Sequence, residues 1–224
     1  MKNQGLKAIV IGATGLTGST LLQQLLDDSR YDAVITLSRK RVQQQHPKLL
    51  SFEADLFEPV TYEHHLKGDH LFICTGTTQA ATPDPKQYYR IEHDLPLIVS
   101  RTALKNGVST VVAISALGAD PDSRFNYNKG KGEMERDIEK LGFEHTYFVQ
   151  PALIGGDREE KRTFESFWKK VQQVIDPLLV GGLKKYRTIH PKTIAQAMIE
   201  IAANGYPKSK IESDELKNIA EKSS

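Results

Sequence analysis

Three side chains in the middle of the chain have the types and spacing needed to donate a proton to a carbonyl oxygen. Ser115 ends an apolar stretch, and Tyr127 and Lys131 follow it at the start of a predicted helix. Residues four apart project from one helix face, so the phenol and the ammonium group can share a site. A free phenol has a pKa of about 10, and a cation within ~4–6 Å typically lowers the pKa of an acid by about 1–3. The pattern predicts Tyr127 as a proton donor, with Ser115 bonded to the same oxygen.

A glycine-rich turn near the start of the chain is typical of dinucleotide sites. It follows the apolar residues 6–11, has the spacing Gly-x-x-Gly-x-x-Gly, and leads into a helix-patterned segment at 19–26. In such a turn the glycines permit a tight bend, a close approach of the backbone to a pyrophosphate, and close packing of the helix on the strand. The alternative is an ordinary turn that ends a parallel strand. The predicted contacts are Gly12, Ala13, Thr14, Gly15, Leu16 and Gly18.

The residues after the second apolar stretch favour NADP over NAD. Ser38 and Arg39 are followed by Lys40 and Arg41, and no Asp or Glu occurs between positions 33 and 45. An acidic residue here would bind the ribose 2′-hydroxyl of NAD, whereas arginine suits the 2′-phosphate of NADP. A solvated basic loop is the alternative, but the position directly after a strand favours phosphate binding. The predicted cofactor is therefore NADP(H).

Two further loops follow predicted strands and are expected to line the same site. Asp55 and Leu56 come after the third strand, and Asp55 is either a partner of the adenine amino group or a turn former. Thr75, Gly76 and Thr77 come after the fourth strand, where a glycine lets the backbone lie close to a cofactor. The preceding residue, Cys74, has no histidine nearby to activate it, so we assign it no chemistry.

The composition limits the classes of protein to which the chain can belong. Its 30 basic and 28 acidic residues leave a net charge of +2, so no broad basic field predicts nucleic acid as a partner. No apolar run approaches ~18 residues, so no membrane span is expected. The single cysteine suits a reducing compartment, which predicts a cytoplasmic protein. The histidines lack metal-ligand spacing, so no metal site is expected.

Alternating strand and helix patterns predict the element order of an α/β fold. Such alternation is typical of a doubly wound parallel sheet with a Rossmann-like topology. Asp94 is predicted as the N-cap of the helix that contains Pro96, and Gly142 as a C-terminal cap. The predicted strands are 6–11, 33–37, 49–54, 71–74, Thr110–Ile114 and 144–149, and the main helices between them are Leu95–Lys105 and 131–141.

The last third of the chain has a different character and is predicted to form a small substrate-side lobe. Residues 155–162 are polar, and 164–175 have the pattern of an amphipathic helix that contains Trp168. A helix at Pro191–Asn204, a late strand at 210–213 and a terminal helix at 214–221 follow. We predict one NAD(P)-binding domain over residues 1–224, in which 151–224 include the substrate-side lobe.

Taken together, these motifs resemble those of the short-chain dehydrogenase/reductase superfamily in its atypical branch, and most of all the HIV Tat-interacting oxidoreductase-like proteins. The resemblance runs through the glycine turn, residues 115–120, the segment from Tyr127 to Glu135, and residues 150–154. It implies NADPH binding, a catalytic triad of Ser115, Tyr127 and Lys131, a bond from Lys131 to the nicotinamide ribose, and a cofactor contact at Pro151. Gln150 occupies a position where this branch more often has arginine.

Three functions are compatible with these residues. The first is an NADPH-dependent reductase that acts on a small carbonyl compound, with Tyr127 as proton donor. The second is a redox sensor without catalytic activity that binds the dinucleotide and reports to a protein partner. The third is a nucleotide-sugar epimerase, against which the basic segment 38–41 argues because an epimerase keeps NAD bound. The presence of Ser115, Tyr127 and Lys131 together favours the enzyme, because a sensor needs only the glycine turn and Arg39.

Overall fold

The fold is a seven-stranded parallel sheet with helices on both faces, as the sequence predicts. A computed structural model describes residues 5–152, 179 and 181–222. Every neighbouring strand pair is parallel, and the strand order is β3-β2-β1-β4-β5-β6-β7. The strands are β1 (Leu6–Ile11), β2 (Tyr31–Ser38), β3 (Leu49–Glu53), β4 (His70–Ile73), β5 (Thr110–Ile114), β6 (His145–Gln150) and β7 (Lys210–Glu212).

The helices of the described residues cross between strands or close the C-terminal end. The helix after β5 begins five residues earlier than predicted, so Tyr127 and Lys131 both lie on it. A π turn at Arg90–Asp94 joins the second and third helices into one continuous segment. The helices are α1 (Leu16–Asp27), α2 (Pro85–Tyr89), α3 (Leu95–Lys105), α4 (Asn126–Glu139), α5 (Pro191–Asn204) and α6 (Ser213–Lys222).

Two hydrophobic cores cover the two faces of the sheet. β1 contributes side chains to both, because its successive residues face opposite sides. Ala8 and Val10 point into the core that contains α1 and α5, whereas Ile9 and Ile11 point into the core that contains α3 and α4. All four side chains are fully buried. Successive residues of a strand face opposite sides, so a strand covered on both faces must be apolar throughout. The apolar residues 8–11 therefore identify β1 as an interior strand of the sheet.

The strand order reverses direction between β1 and β4, and this places all the predicted cofactor residues at one edge. From β1 the chain builds outward through β2 and β3, then returns to the other side of β1 with β4. In open parallel sheets, ligands bind outside the carboxyl ends of the strands at such a reversal. The glycine turn follows β1, Arg39 follows β2, Asp55 follows β3 and Thr75 follows β4. One sheet edge therefore brings together residues that are far apart in sequence.

The prediction that Asp94 caps a helix is wrong. Asp94 has helical backbone angles (φ −66°, ψ −43°) and makes no capping hydrogen bond through its side chain. It ends the π turn, in which the N–H of Leu95 bonds to the carbonyl oxygen of Arg90. The pattern beginning at Leu95 is thus the second half of a longer helical segment.

Pro96 supplies a physical reason for the π turn. A proline has no N–H to donate to the carbonyl group four residues earlier, and its ring crowds that carbonyl. The carbonyl in question belongs to Glu92, in the centre of the π turn. Widening the helix by one residue relieves this conflict without ending the helix, as π turns commonly do at functional sites. One proline therefore determines how the side chain of Glu92 is presented.

The described C-terminal elements join the main sheet. α5 packs beside α1, and β7 adds a seventh parallel strand next to β6. The predicted helix at 164–175 with Trp168, and the polar stretch 155–162, lie outside the described residues, and the substrate-side lobe stays a prediction. Within the described residues, no helix is long and apolar enough to cross a membrane.

Two glycines of α4 provide a matched stability test. A methyl group at Gly130 would have Tyr89 Cδ2 at 4.0 Å as its nearest atom, whereas one at Gly132 would clash with the backbone of Asp120 and Pro121. Alanine is favoured over glycine inside a helix by about 1 kcal/mol, and overpacking costs about 1–3 kcal/mol. We expect Gly130→Ala to raise the free energy of unfolding in urea and Gly132→Ala to lower it. Equal stability of the two variants would contradict the described approach of the Asp120 loop to α4.

Candidate functional site

The glycine turn after β1 has no room for side chains at its critical positions. Gly12 has a φ of +83°, and a Cβ there would lie 2.6 Å from the carbonyl oxygen of Cys74. A Cβ at Gly18 would clash with the carbonyl oxygen of Gly12. The N–H of Gly15 also bonds to that oxygen at 3.0 Å, which closes the turn. Glycine is thus required by geometry at Gly12 and Gly18.

The start of α1 offers backbone N–H groups to an anion. Gly15 occupies the N-cap position without a side-chain capping bond, and the first turn holds no acidic residue. The first N–H groups of a helix have no partner within the helix and carry a partial positive charge, which suits a phosphate. Ala13 is buried beneath the turn, whereas Thr14 is exposed at its surface. Leu16 begins α1 and is half-buried.

The basic segment after β2 begins at a buried, hydrogen-bonded residue, Ser38. Ser38 is buried, and its hydroxyl donates to the carbonyl oxygen of Lys40 at 2.6 Å. Arg39, Lys40 and Arg41 are all exposed. The N–H of Val42 then bonds to Ser51 Oγ at 2.9 Å, which ties the segment to β3. The three cations are therefore free to meet an anion at the carboxyl end of β2.

The loops after β3 and β4 differ in what their polar groups already bind. Asp55 is exposed, and its Oδ1 accepts a hydrogen bond from the N–H of Phe57 at 3.0 Å, so the carboxylate stabilises a local turn. The neighbouring Leu56 is buried. Thr75 has a buried hydroxyl with no hydrogen-bond partner among the described residues. The N–H of Thr77 donates to Glu92 Oε1 at 2.5 Å.

Ser115 stands at the carboxyl end of β5 with its hydroxyl unused. The residue is 2% exposed, and its N–H bonds to the carbonyl oxygen of Val149 at 2.8 Å, which continues the pairing of β5 with β6. In the part of the chain that the structure describes, Ser115 Oγ has no hydrogen-bond partner. A buried hydroxyl without a partner is costly unless a ligand satisfies it. Pro151 lies on the neighbouring loop, where its carbonyl oxygen accepts from the N–H of Leu117 at 3.1 Å.

Lys131 is buried beside Ser115 and is held by two partners. It is 3% exposed, and its Nζ donates to the carbonyl oxygen of Ile114 at 3.2 Å. The same nitrogen lies 2.8 Å from Glu92 Oε2, and Glu92 is itself 2% exposed. Ile114 directly precedes Ser115, so the ammonium group lies next to the end of β5. The structure thus brings Ser115 and Lys131 together and adds a carboxylate that sequence reasoning missed.

The structure does not support the expectation that Lys131 lowers the pKa of Tyr127. Although 41% of Tyr127 is exposed, desolvation of the phenol, followed by the negative charge of Glu92, raises its pKa to about 12. Desolvation is the larger of the two causes, and the carboxylate of Glu92 adds to it. The phenol is therefore fully protonated at neutral pH.

Glu92 carried no motif that could reveal its role. It precedes Lys131 by 39 positions and lies just before Leu95, where the sequence analysis placed the start of the helix. The signal that was available is Pro96, because a proline inside a helical pattern marks the carbonyl four residues earlier as disturbed. Recognising that disturbance would have placed Glu92 at a π turn but would not have identified Lys131 as its partner.

Gln150 takes part in a second buried network at the same edge. Its Nε2 donates to Glu135 Oε1 at 2.8 Å, and Lys210 Nζ lies 2.9 Å from Glu135 Oε2. Glu135 is completely buried on α4. A neutral amide suffices at position 150 because Lys210 already balances the charge of the carboxylate.

No metal centre is visible among the described residues. The structure there contains no group of three His, Cys, Asp or Glu side chains arranged to hold an ion. His93 is instead bonded to Asp94 at 2.8 Å and to Asp137 at 3.1 Å, which ties the π turn to α4. Its ring also stacks on Tyr89.

Comparison with known proteins places the chain among nucleotide-binding proteins. A family model described as NAD(P)H-binding matches residues 12–204. The chain is 33% identical over 199 residues to Protein fmp52, mitochondrial, of Aspergillus niger, which covers 85% of this chain and 84% of that protein. It is 32% identical over 162 residues to Protein FMP52, mitochondrial, of Saccharomyces cerevisiae, a match that covers 70% of this chain and 69% of that protein.

Solved structures agree on the fold. A UDP-glucose 4-epimerase with UDP-glucose from Thermotoga maritima superposes with a TM-score of 0.70 at 15% identity, covering 97% of this chain and 82% of that one. A short chain dehydrogenase family protein from Francisella tularensis gives a TM-score of 0.67 at 16% identity, covering 92% and 96%. The doubly wound parallel fold is confirmed, and the family match over residues 12–204 agrees with an NAD(P)-binding domain.

The fungal relatives contradict the cytoplasmic location expected from the sequence. Both are named mitochondrial. The expectation rested on the single cysteine, Cys74, and on the lack of a long apolar run. Neither property separates one reducing compartment from another, so the expectation is wrong.

Cys74 should react slowly in the folded protein. Burial raises the pKa of its thiol to about 12, with Lys131 acting weakly in the opposite direction. The thiolate is the reactive form, so at pH 8 a rise from about 9 to about 12 lowers its population roughly 10³-fold. We expect a thiol reagent to modify the native protein about that much more slowly than the urea-unfolded chain, followed by absorbance. Similar rates in the two states would show that Cys74 is an accessible, activated thiol.

Proposed function

The chain belongs to the NAD(P)H-binding family together with the fungal FMP52 proteins, and from that premise we propose that it is an NADP(H)-dependent reductase of a small carbonyl compound. The family and the fold establish an NAD(P)-binding, oxidoreductase-like domain. The observation that carries the finer proposal is the meeting of Ser115 and Lys131 at the end of β5, with Tyr127 one turn before Lys131 on α4.

The described residues fit a bound dinucleotide. The glycine turn packs its backbone closely against the loop after β4 and against the start of α1, and α1 offers its N-terminal N–H groups at this turn. The hydroxyl groups of Thr75 and Ser115 are buried without partners among the described residues, so a ligand that supplies hydrogen-bonding groups would satisfy them. Lys131 donates one hydrogen bond to the carbonyl oxygen of Ile114 and forms an ion pair with Glu92, so its ammonium group keeps a further N–H donor for a ribose hydroxyl.

The proposed reaction assigns one task to each side chain. When bound, NADPH supplies the hydride that reduces the carbonyl carbon. Tyr127 gives its phenolic proton to the carbonyl oxygen as the carbon–oxygen double bond becomes a single bond, and Ser115 donates a hydrogen bond to the same oxygen. The products are an alcohol and NADP, and solvent then reprotonates the tyrosinate. The substrate-side lobe predicted within residues 151–224 would shape the pocket.

The raised pKa of Tyr127 supports reduction over oxidation. A phenol with a pKa of about 12 is protonated throughout the neutral range, which is the form that a carbonyl reductase needs. Oxidation of an alcohol needs the tyrosinate, which is scarce below that pKa. The site is therefore suited to work in the reducing direction near pH 7.

The proposed choice of NADP rests on charge at the end of β2. Arg39 is exposed next to the buried Ser38, in a segment without an acidic residue. A guanidinium offers paired donors to the 2′-phosphate, and Lys40 or Arg41 adds a less directional charge. Nothing in this loop would accept a hydrogen bond from the 2′-hydroxyl of NAD through a carboxylate.

One observation favours a second function, a dinucleotide-binding redox sensor with a protein partner. The Glu92–Lys131 ion pair neutralises the cation that normally assists a catalytic tyrosine, so Tyr127 is not activated in the described state. A sensor would need the cofactor site but no such activation. The two functions differ in whether any carbonyl compound is turned over.

Tyr127→Phe tests the reductase. With NADPH and a panel of aldehydes, ketones and quinones, we expect wild-type protein to consume NADPH, measured by its absorbance. Loss of the proton donor should lower turnover by about 10²-fold or more and leave NADPH affinity unchanged. Tyr206→Phe is the matched control, because Tyr206 bonds to Glu215 near the C-terminus, and it should retain full activity. A normal rate in Tyr127→Phe would refute the mechanism, and wild-type inactivity despite tight NADPH binding would identify the sensor.

Arg39→Ala tests the choice of cofactor. A charge-assisted hydrogen bond contributes about 1.5–3 kcal/mol, so the variant should bind NADPH about one to two decades more weakly and NADH almost normally. Isothermal titration of both cofactors measures this, with Arg101→Ala, an exposed arginine of α3, as the matched control. Equal losses for NADPH and NADH, or a wild-type preference for NADH, would refute the assignment.

A further inference from the structure

Glu92 joins three parts of the site through one carboxylate. Its Oε1 accepts from the backbone N–H of Thr77, in the loop after β4, at 2.5 Å. Its Oε2 lies 2.8 Å from Lys131 Nζ, on α4. Lys131 in turn donates to the carbonyl oxygen of Ile114, at the end of β5. The side chain is 2% exposed, so none of these contacts is a solvated surface pair.

The π turn holds Glu92 against α4 with the help of the adjacent residue. Pro96 widens the helix at Arg90–Asp94, and Glu92 and His93 are both buried there. His93 bonds to Asp137, which lies further along α4 than Lys131. Two consecutive residues of the turn therefore pair with two positions of the same helix. This double attachment limits the freedom of Glu92 to move away from Lys131.

We propose that Glu92 is a positioning residue that holds Lys131 and the loop after β4 in one fixed arrangement and controls how strongly the charge of Lys131 acts on Tyr127. This inference rests on the proposed function, since it assigns the control of the proposed proton donor. Glu92 does not contact the reacting atoms in this proposal. It acts through the ammonium group of Lys131 and through the amide of Thr77.

The groups that face Glu92 define its electrostatic effect. Lys131 and Tyr127 face it from α4, and Tyr88 faces it from the preceding turn of its own helix segment. Cys74, at the end of β4, lies within the field of Lys131 but is a protonated thiol. Lys131 is thus the cation of this group, and Glu92 is its anion. Removing the anion takes its negative charge away from the two phenols and leaves Lys131 uncompensated.

The hydrogen bond from Thr77 links Glu92 to the loop after β4, which is predicted to contact the cofactor. Gly76 lies next to Thr77, and a Cβ at Gly76 would lie 3.5 Å from Glu92 Oε1. A dinucleotide that lies along this loop would meet a backbone already fixed by Glu92. Its ribose would also meet Lys131 through the remaining N–H donor. Cofactor binding can therefore change the balance between Glu92 and Lys131 without moving either helix.

The test measures the titration of Tyr127 in protein without cofactor. Carbon-13 labelling of the tyrosine ring lets NMR follow each phenol, and Tyr127→Phe identifies the resonance. In the wild type we expect Tyr127 to remain protonated through about pH 11, whereas in Glu92→Gln its midpoint should fall by about 1 pH unit or more because Lys131 is uncompensated. Asp94→Asn is the matched control. It removes a carboxylate from the same turn, but that carboxylate binds His93 and not Lys131. An unchanged midpoint in folded Glu92→Gln, or an equal fall in Asp94→Asn, would overturn the proposal.

A second variant keeps the test decisive if Glu92→Gln does not fold. Glu92→Asp retains the charge but is one methylene too short to reach both Thr77 and Lys131. We expect hydrogen exchange of the Thr77 amide to accelerate about tenfold or more, the equivalent of one charge-assisted hydrogen bond, while the Cys74 amide, bonded to Ile11, is unaffected. Unchanged protection of Thr77 would overturn the proposal. Neither readout involves substrate or cofactor, so failure of the proposed reductase would be seen separately, in the Tyr127→Phe and Arg39→Ala experiments.

Discussion

The ion pair between Lys131 and Glu92 is the interaction on which the arrangement of the site depends. Moving two charges out of water is expensive, and the attraction between them offsets this cost only when the remaining hydrogen-bonding groups are also satisfied. Here the amide of Thr77 and the carbonyl group of Ile114 meet that condition. Loss of one partner from a buried pair typically costs about 3–5 kcal/mol, because the other charge is left alone. Helix α4, the π turn and the ends of β4 and β5 are therefore stabilised as one unit.

The parallel sheet makes that unit possible by collecting loop ends at one edge. The inner strands β1, β4 and β5 are largely buried on both faces because helices cover both, which leaves their carboxyl ends as the place where polar groups meet. Glycine lets the turn after β1 come close to the loop after β4, as the contact between Gly12 and Cys74 shows. The two cations of the candidate site differ in their burial. Arg39 stays exposed and suits a solvent-facing phosphate, whereas Lys131 is buried and needs a carboxylate of its own.

Local patterns in the sequence were sufficient for the fold and for the positions of the loops that follow its strands. The glycine turn, the apolar strands and the spacing of Tyr127 and Lys131 are each properties of a short segment, and the structure has them at the predicted places. Glu92 could not be found in this way, because its partners lie on other elements and a carboxylate inside a helical pattern is ordinary. The N-cap prediction at Asp94 failed for a related reason. A proline early in a helical pattern usually marks a helix start, but here it lies within a longer segment that a π turn accommodates.

The order of the strands has a consequence for synthesis on the ribosome. The first described strand to emerge, β1, becomes an interior strand of the sheet, and β2 and β3 extend the sheet on one side before β4 to β7 extend it on the other. Every new strand therefore docks on an edge that is already free, and none must insert between two that have paired. β7 and the start of α6 emerge after the other described strands, and they add contacts beside α4, because Lys210 of β7 pairs with Glu135 and Ser213 of α6 accepts from the N–H of Ala152. A nascent chain can thus assemble this core strand by strand in the direction of translation.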